Sequence, residues 1–237
     1  MDFGSTQWSR ILALGGADED RRGELLRDLA DRYWPPIYAW LRRKGHPPSD
    51  AEDLTQAFFL HILEKRTLDG IAGRERGSFR AFLLTCLRNF VSSERRGRRA
   101  ARRQPGRRML SVDGLEASLA ADESGREPDQ EYQYQWARRV VELALAAMAE
   151  RLVADGRTES FRLFEAHLQH RLTTGTALSR RELAARFGRT EKQVDNQLQT
   201  LRREFRLRLE AVVLQSVDDE GAFDEEIREL REYLDPK

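Results

Sequence analysis

The chain has 237 residues, 40% of them hydrophobic and 34% charged, so it is long enough for one or two domains with cores of their own. It has no apolar run near the roughly 18 residues of a membrane span, and its first residues lack the pattern of a secretion signal. Its single cysteine, Cys86, permits no internal disulfide, and we expect a cytoplasmic protein with no membrane partner.

The net charge of +1 hides a strong segregation of charge along the sequence. Residues 88–108 contain nine Arg and one Glu, whereas residues 113–131 contain seven acidic residues and one Arg. Residues 218–237 contain nine acidic and three basic residues. Positive charge that continues a folded segment repels itself unless it meets a polyanion, so the arginine run predicts a surface for a phosphate backbone. The acidic segments are either solvated or compete with nucleic acid for the basic faces.

Two helices are predicted before residue 65. Pro35 and Pro36 interrupt the first, which predicts either a kink or two helices end to end. Residues 45–48 stop this segment, and Ser49 with Glu52 predicts a capping box at the start of the second helix. The first helix is predicted from apolar residues at helical spacing: Leu25, Leu26, Leu29, Tyr33, Ile37, Trp40 and Leu41.

A loop, a third helix and a linker are predicted next. Three glycines indicate a loop over residues 67–77, and a long helix is predicted from near Ser78 through the arginines. Residues 104–130 contain Pro and Gly, are acidic and have little periodicity. This composition predicts a flexible linker between two blocks of helices.

The second block contains a helix-turn-helix pattern. Ser179 and Glu182 predict a capping box for a short helix that ends at Gly188, and Thr190 caps a longer helix. A short helix, a glycine turn and a second helix with polar residues on its first exposed turns are typical of duplex DNA readers.

No strand with convincing alternation is present, so the predicted fold class is all-α. We predict two helical domains, residues 1–103 and 131–215, joined by a flexible acidic linker at 104–130. An acidic helix is predicted at 216–237. It has apolar residues at helical spacing: Phe223, Ile227, Leu230 and Leu234.

Motifs of enzymes are absent from the sequence, which has no phosphate-binding glycine loop, nucleophile elbow or cysteine pair. Asp50, Asp53 and His61 do not converge with Glu52 and Glu64 on one helix face, so we interpret them as a solvated acidic surface rather than a metal site. We therefore predict no enzymatic activity, no cofactor and no metal.

Aromatic residues beside the basic loop leave two interpretations open. Phe79, Phe82 and Phe90 follow Arg74 and Arg76, and such a combination could stack on splayed bases while arginines hold the backbone. The alternative is that the rings pack in the core. Together with the helix-turn-helix, the first interpretation predicts two different DNA-binding surfaces on one chain.

The first block contains four specific strings: Ser-Asp-Ala-Glu-Asp-Leu-Thr-Gln-Ala-Phe-Phe-Leu at 49–60, Gly-Ser-Phe-Arg-Ala-Phe-Leu at 77–83, Leu-Arg-Asn at 87–89 and the arginine run. Together they resemble region 2 of bacterial sigma factors. The chain is similar to the extracytoplasmic-function (ECF) type, which keeps only regions 2 and 4. It is especially similar to a subgroup with Trp-Pro-Pro-Ile-Tyr, here at 34–38, and an acidic C-terminal helix.

This resemblance implies an alternative sigma factor that binds core RNA polymerase, recognises promoter DNA and nucleates strand opening. The implied partners are the β′ and β subunits and promoter DNA, with an anti-sigma factor or other regulator left open. Binding of the β′ coiled coil would fall to Asp50, Glu52, Asp53, Leu54, Gln56 and Phe59, with the apolar residues divided between interface and core.

The resemblance also implies two sets of promoter contacts. Single-strand contacts at the proximal element would be made by Arg74, Arg76, Ser78, Phe79, Arg80, Phe82, Asn89, Arg95 and Arg96. Duplex contacts at the distal element would be made by Thr190, Lys192, Gln193, Asn196, Gln197, Thr200 and Arg203. The sequence departs from the family at Phe82, where tryptophan is frequent, and at Asp195 and Gln197, where Lys and Arg are frequent.

The sequence has two alternative interpretations. A stand-alone helix-turn-helix transcription regulator accounts for residues 179–209 but leaves the helix at 50–60 without a role. A nucleic-acid-processing enzyme lacks a convergent acid or metal cluster. A further hypothesis is that the tail at 218–237 folds back as a helix and regulates promoter or polymerase binding.

Overall fold

The computed structural model describes residues 19–62, 78–102, 125–174, 178–217 and 219–234. These residues form eight helices and no strand, which confirms the predicted all-α class. The predicted loop at 67–77 and most of the predicted linker lie outside them. The helices are α1 (Glu19–Arg43), α2 (Pro48–Ile62), α3 (Phe79–Arg102), α4 (Pro128–Ala154), α5 (Thr158–Thr174), α6 (Arg180–Phe187), α7 (Glu191–Leu214) and α8 (Glu220–Leu234). None of these helices has the length and apolarity needed to cross a bilayer.

Helix α1 continues through both of its prolines. Proline removes a backbone donor and crowds the carbonyl four residues earlier, so each one weakens the helix locally. Tyr33 and Ile37, on either side of Pro35 and Pro36, are completely buried, as is Leu41 one turn later. We infer that packing of this face offsets the cost of the prolines, because buried contacts on both sides hold the two segments in one helix.

The turn between α1 and α2 differs in detail from the prediction. Gly45 has a φ of 87°, and the N–H of His46 donates to the Leu41 carbonyl at 3.2 Å, so a left-handed glycine closes α1. Helix α2 then begins at Pro48, and Ser49 lies within its first turn instead of capping it. Proline suits this position because the first helical N–H has no partner to lose.

The described residues divide into two compact units. Unit 1 contains those up to Arg139 together with those from Val213 onward, and unit 2 contains Val140–Val212. The division falls inside α4 and α7, and therefore does not coincide with the predicted boundaries at 130/131 and 215/216.

The core of unit 1 combines α1, α2 and α3 with the start of α4 and with α8. Phe58, Phe79 and Leu87 are completely buried, as are Tyr132 and Trp136 of α4. The tail contributes Val213, Val217, Phe223 and Leu230, which are all at most 6% exposed. Residues more than 80 positions apart in sequence therefore share one hydrophobic core.

The core of unit 2 is built by the remainder of α4, by α5 and by the pair α6 and α7. The predicted capping box is confirmed: the Ser179 side chain accepts from the Glu182 N–H, and Glu182 bonds back to the Ser179 N–H. Gly188 ends α6 in the left-handed conformation, with a φ of 61°. The buried residues of this core are Met148, Leu152, Leu163, Phe164, Leu183, Ala184, Val194, Leu198 and Leu201.

Candidate nucleic-acid and polymerase interfaces

Helix α2 presents its predicted polar residues to solvent and its apolar residues to the interior. Leu54 and Phe59 are at most 5% exposed, and Phe58 is completely buried, so these side chains form core and not surface. Asp50, Glu52, Asp53 and Gln56 are all exposed. The acidic helix face therefore exists, but the two apolar residues predicted to share in it are turned inward.

An apolar residue that the sequence reasoning missed completes this face. Leu60 is 55% exposed, and it follows Asp53 and Gln56 at intervals of seven and four residues. Such residues lie on the same side of a helix. The helical period counted from Asp53 would have identified Leu60, and its exposure beside acidic groups gives the face an apolar anchor of the kind that interfaces use.

The aromatic residues of α3 pack within unit 1. Phe79 is completely buried, and its ring centroid lies 5.5 Å from that of Tyr33 in an edge-to-face arrangement. The ring centroids of Phe90 and Phe58 are 5.6 Å apart, and those of Phe82 and Phe79 are 5.9 Å apart. Phe82 is partly exposed. The structure therefore favours core packing for Phe79, while Phe82 retains some exposed ring surface.

The Arg80 guanidinium is enclosed by the C-terminal helix. Arg80 is only 2% exposed, and its Nε lies 3.0 Å from Glu226 Oε2 while its Nη2 lies 2.9 Å from Glu226 Oε1. Nη2 also contacts Glu229 Oε2 at 2.5 Å. Burial alone would lower the pKa of Arg80, but the Glu226 and Glu229 carboxylates raise it, so the group stays charged. Arg80, which was predicted to contact DNA, is therefore paired with Glu226 and Glu229 inside unit 1.

The remaining predicted strand-binding residues lie further along α3 or outside the described residues. Asn89, Arg95 and Arg96 are exposed, and Asn89 and Arg96 are seven residues apart on one side of the helix. Ser78 is partly exposed immediately before α3. Arg74 and Arg76 belong to the undescribed segment 63–77. Among the predicted residues that the structure describes, the exposed basic side chains on α3 are therefore Arg95 and Arg96.

Asp129, in the first turn of α4, joins α1 and α3 in a contact that the sequence did not predict. Its Oδ1 accepts from Trp40 Nε1 at 2.7 Å, and its Oδ2 accepts from Arg88 Nη2 at 2.5 Å. Burial would raise the pKa of Asp129, but these two donors and the charge of Arg88 hold it below its usual value. The contact was hidden in the sequence because Asp129 falls within the segment predicted as linker.

Unit 2 exposes the face of α7 that was predicted to read duplex DNA. Six of the seven predicted residues are exposed: Thr190, Lys192, Gln193, Asn196, Thr200 and Arg203. One concave surface is lined by residues 187–189 and by four of the predicted residues: Gln193, Asn196, Gln197 and Thr200. Helix α7 therefore offers a polar, solvent-facing side with amide side chains able to form paired hydrogen bonds to adenine.

Several of these polar groups already have partners within unit 2. Thr190 and Gln193 cap α7 reciprocally, since each backbone N–H donates to the other residue's side chain at 2.9 and 3.2 Å. The Gln197 amide donates to Ser160 Oγ at 2.7 Å and accepts from Arg189 Nη1 at 2.5 Å. Gln197 is consequently oriented before any ligand arrives.

Asp195, where the sigma factors that the sequence resembles frequently have Lys, is paired in the structure. Arg180 Nε lies 3.0 Å from Asp195 Oδ1, and both side chains are about half exposed. The pair reduces the negative charge that α7 would otherwise present to a phosphate.

Among the described residues there is no group of three or more His, Cys, Asp or Glu side chains placed to hold a metal ion.

Comparison with known proteins finds a family match within unit 1. Residues 29–101 match the model of the family described as Sigma-70 region 2, which spans most of α1, all of α2 and nearly all of α3. The match supports a sigma factor, a DNA-binding transcription initiation factor with a role in promoter recognition and RNA polymerase binding. No curated protein matches the chain significantly, and neither does any solved structure.

Proposed function

We propose that the chain is an alternative sigma factor of the ECF type, acting in the cytoplasm. It binds the β′ and β subunits of core RNA polymerase, directs them to a subset of promoters and nucleates strand opening without enzymatic activity of its own. The observation that carries this proposal is the Sigma-70 region 2 match at 29–101, which includes the exposed acidic face of α2.

The α2 face supports a role in polymerase binding. Asp53 and Gln56 provide polar contacts and Leu60 provides apolar area on one side of the helix, while Leu54 and Phe59 hold that helix against the core. Interfaces commonly combine an apolar anchor with flanking charges that guide association and fix the register. A basic surface on polymerase is the complementary partner.

Two surfaces support a role in promoter binding. Asn89, Arg95 and Arg96 provide exposed groups for a single strand at the proximal element. The exposed side of α7, with Asn196 at its centre, provides groups for the major groove of the distal element, as region 4 of this sigma type does. An anti-sigma factor or other regulator is compatible with either surface.

Capture of core RNA polymerase tests the proposal. The wild-type chain is expected to retain core polymerase in a pull-down, whereas Asp53→Arg is expected to weaken capture by about tenfold or more, because one attractive contact becomes repulsive. Leu60→Ser is expected to weaken it without a change of charge. Glu24→Arg, the same reversal at an exposed site on α1, is the matched control and should bind like wild type.

Transcription from a library of promoters with the captured complex should then yield discrete start sites and the recognised sequence. If neither wild type nor Glu24→Arg captures core polymerase, the sigma proposal is wrong. In that event, duplex DNA binding by the chain alone would favour the stand-alone helix-turn-helix regulator, which the exposed face of α7 also fits.

A further inference from the structure

We propose that Glu226 of α8 and Arg80 of α3 are positioning residues for promoter opening. The C-terminal helix stays docked in the working initiation complex, and through this pair it fixes the end of α3 that begins the strand-binding surface. This inference rests on the proposed sigma function and assigns a role to a tail that otherwise has none.

The Arg80–Glu226 pair is built as a fixed contact. Glu226 is completely buried, and its two carboxylate oxygens accept from the Nε and Nη2 atoms of Arg80 at 2.9 to 3.2 Å. The Cζ atom of Arg80 lies 4.5 Å from the ring centroid of Trp136. Paired hydrogen bonds and a stacked ring together restrict the guanidinium to one orientation.

The backbone at the start of α3 is held by the same part of the chain. The N–H of Phe79, the first residue of α3, donates to the Ser216 carbonyl at 2.9 Å. The Tyr132 hydroxyl donates to the Arg80 carbonyl at 3.2 Å. The first N–H groups of a helix have no partner within it, so a carbonyl from residue 216 fixes where α3 begins.

Burial of its apolar side chains indicates that α8 is a permanent part of unit 1 and does not detach to admit DNA. Phe223 and Leu230 are buried, and so are Val213 and Val217 in the segment that leads to them. Detachment would expose these side chains to water and would separate a charge pair from which water is excluded. Phosphate is therefore not expected to displace two carboxylates from Arg80.

The pair acts on DNA through the residues that follow it. Phe82 lies two residues after Arg80 with part of its ring exposed, and Asn89 and Arg96 follow on the same continuous helix. A rigid helix transmits a change at its first turn to every side chain along it. Loosening the Arg80 end should therefore impair strand contacts, while the α2 face for core polymerase is unaffected.

The test uses the full chain assembled with core polymerase and the strongest promoter recovered from the library. The variants are Glu226→Gln, which keeps the side-chain shape and removes the charge, and Glu229→Gln, which removes the partly exposed second contact to Arg80. Glu225→Gln, an exposed acid on the same helix, is the matched control. Each is measured for core capture, for binding to a forked promoter with a single-stranded non-template segment, and for the rate of promoter opening.

Glu226→Gln is expected to slow opening and weaken forked-promoter binding by about fivefold or more, with core capture unchanged. Glu229→Gln should give a smaller loss in the same direction, and Glu225→Gln should equal wild type. Glu226→Asp, which restores the charge on a shorter side chain, should recover part of the loss. A purely structural defect would instead lower core capture and promoter binding together, in proportion to the folded fraction.

Faster opening or tighter forked-promoter binding in Glu226→Gln would overturn the inference, because it would make α8 an inhibitor that competes with DNA. Unchanged opening in a folded Glu226→Gln protein would overturn it as well. If Glu226→Gln does not fold, Glu229→Gln decides by the same two criteria. Failure of the wild-type chain to capture core polymerase would contradict the sigma function itself, and so is distinguishable from failure of the positioning role.

Discussion

Single carboxylates in this protein organise contacts between helices that are distant in sequence. Asp129 joins the indole of Trp40 to the guanidinium of Arg88, and Glu226 joins α8 to Arg80. The two differ in exposure: the Asp129 side chain is 46% exposed, whereas the Glu226 side chain is 1% exposed. Asp129 is therefore suited to a test by titration, since solvent reaches it and its removal leaves no buried charge without a partner.

Asp129→Asn should lower the free energy of unfolding of unit 1 by about 1 kcal/mol at neutral pH, since a charge-assisted contact that is half exposed becomes a neutral one. The pKa of Asp129 is lower in the folded state than in the unfolded state, so its contribution is fully present above about pH 4 and is lost as the pH falls through the lowered pKa. The stability curves of variant and wild type should converge in acid.

Urea unfolding followed by tryptophan fluorescence measures this difference, because all four tryptophans precede residue 137 and none lies in unit 2. Glu225→Gln removes an exposed carboxylate of unit 1 that pairs with Arg228 and is the control, with an expected effect below about 0.5 kcal/mol. A constant difference between Asp129→Asn and wild type down to pH 2.5 would contradict the assigned titration.

At the scale of elements, helix ends decide how the two surfaces are presented. Gly45 ends α1 and Gly188 ends α6, both in the left-handed conformation that glycine adopts without strain. The reciprocal caps at Ser179 and Glu182 and at Thr190 and Gln193 begin the two helices of the helix-turn-helix. These ends set the start of α7 and therefore the direction in which Asn196 and its neighbours face.

Ser179→Ala should destabilise α6 by about 1 kcal/mol, because the Glu182 N–H loses its side-chain acceptor. The expected observation is faster hydrogen exchange in the peptide covering residues 179–188. Ser179→Thr retains a hydroxyl that accepts from the Glu182 N–H and donates to the Glu182 carboxylate, and it should exchange like wild type. Equal protection in Ser179→Ala and wild type would mean that tertiary packing of Leu183 alone holds this helix.

At the scale of the whole molecule, unit 1 is assembled from two distant parts of the chain. Its described residues end at Arg139 and resume at Val213, after the complete second unit. The unit that contains the match to Sigma-70 region 2 thus includes side chains that follow the helix-turn-helix. The interruption also means that truncations at the C-terminus act on the core of the first unit and not merely on a tail.

Termination of the chain after Val212 should lower the free energy of unfolding of unit 1 by at least about 4 kcal/mol, since each buried Val, Leu or Phe contributes roughly 1.5–3 kcal/mol. The side chains lost from the core are Val213, Val217, Phe223 and Leu230. Tryptophan fluorescence during urea unfolding reports the change. Termination after Leu234 removes only residues 235–237 and is the control, and equal midpoints for both truncations would contradict this assembly.

Much of the helical structure could be predicted from local sequence patterns, because these patterns depend only on residues a few positions apart. The capping box of Ser179 and Glu182, the glycine turn at Gly188 and the continuation of α3 into the arginines are all local features. The exposure of Asp53 and Gln56 follows in the same way from helical period. The same rules gave the wrong start for α2. This helix begins at Pro48, so Ser49 lies inside its first turn and does not cap it.

The sequence by itself determined that this protein is helical, that α1 and α6 end at glycines, and which faces of α2 and α7 carry polar groups. Only the tertiary structure decided that Phe79 and Arg80 are interior residues and that Glu226 is the partner of Arg80. The partners are 146 positions apart, and sequence periodicity describes one helix at a time. Which helix covers which face is decided by the joint packing of all of them, and here the last helix covers the beginning of the third.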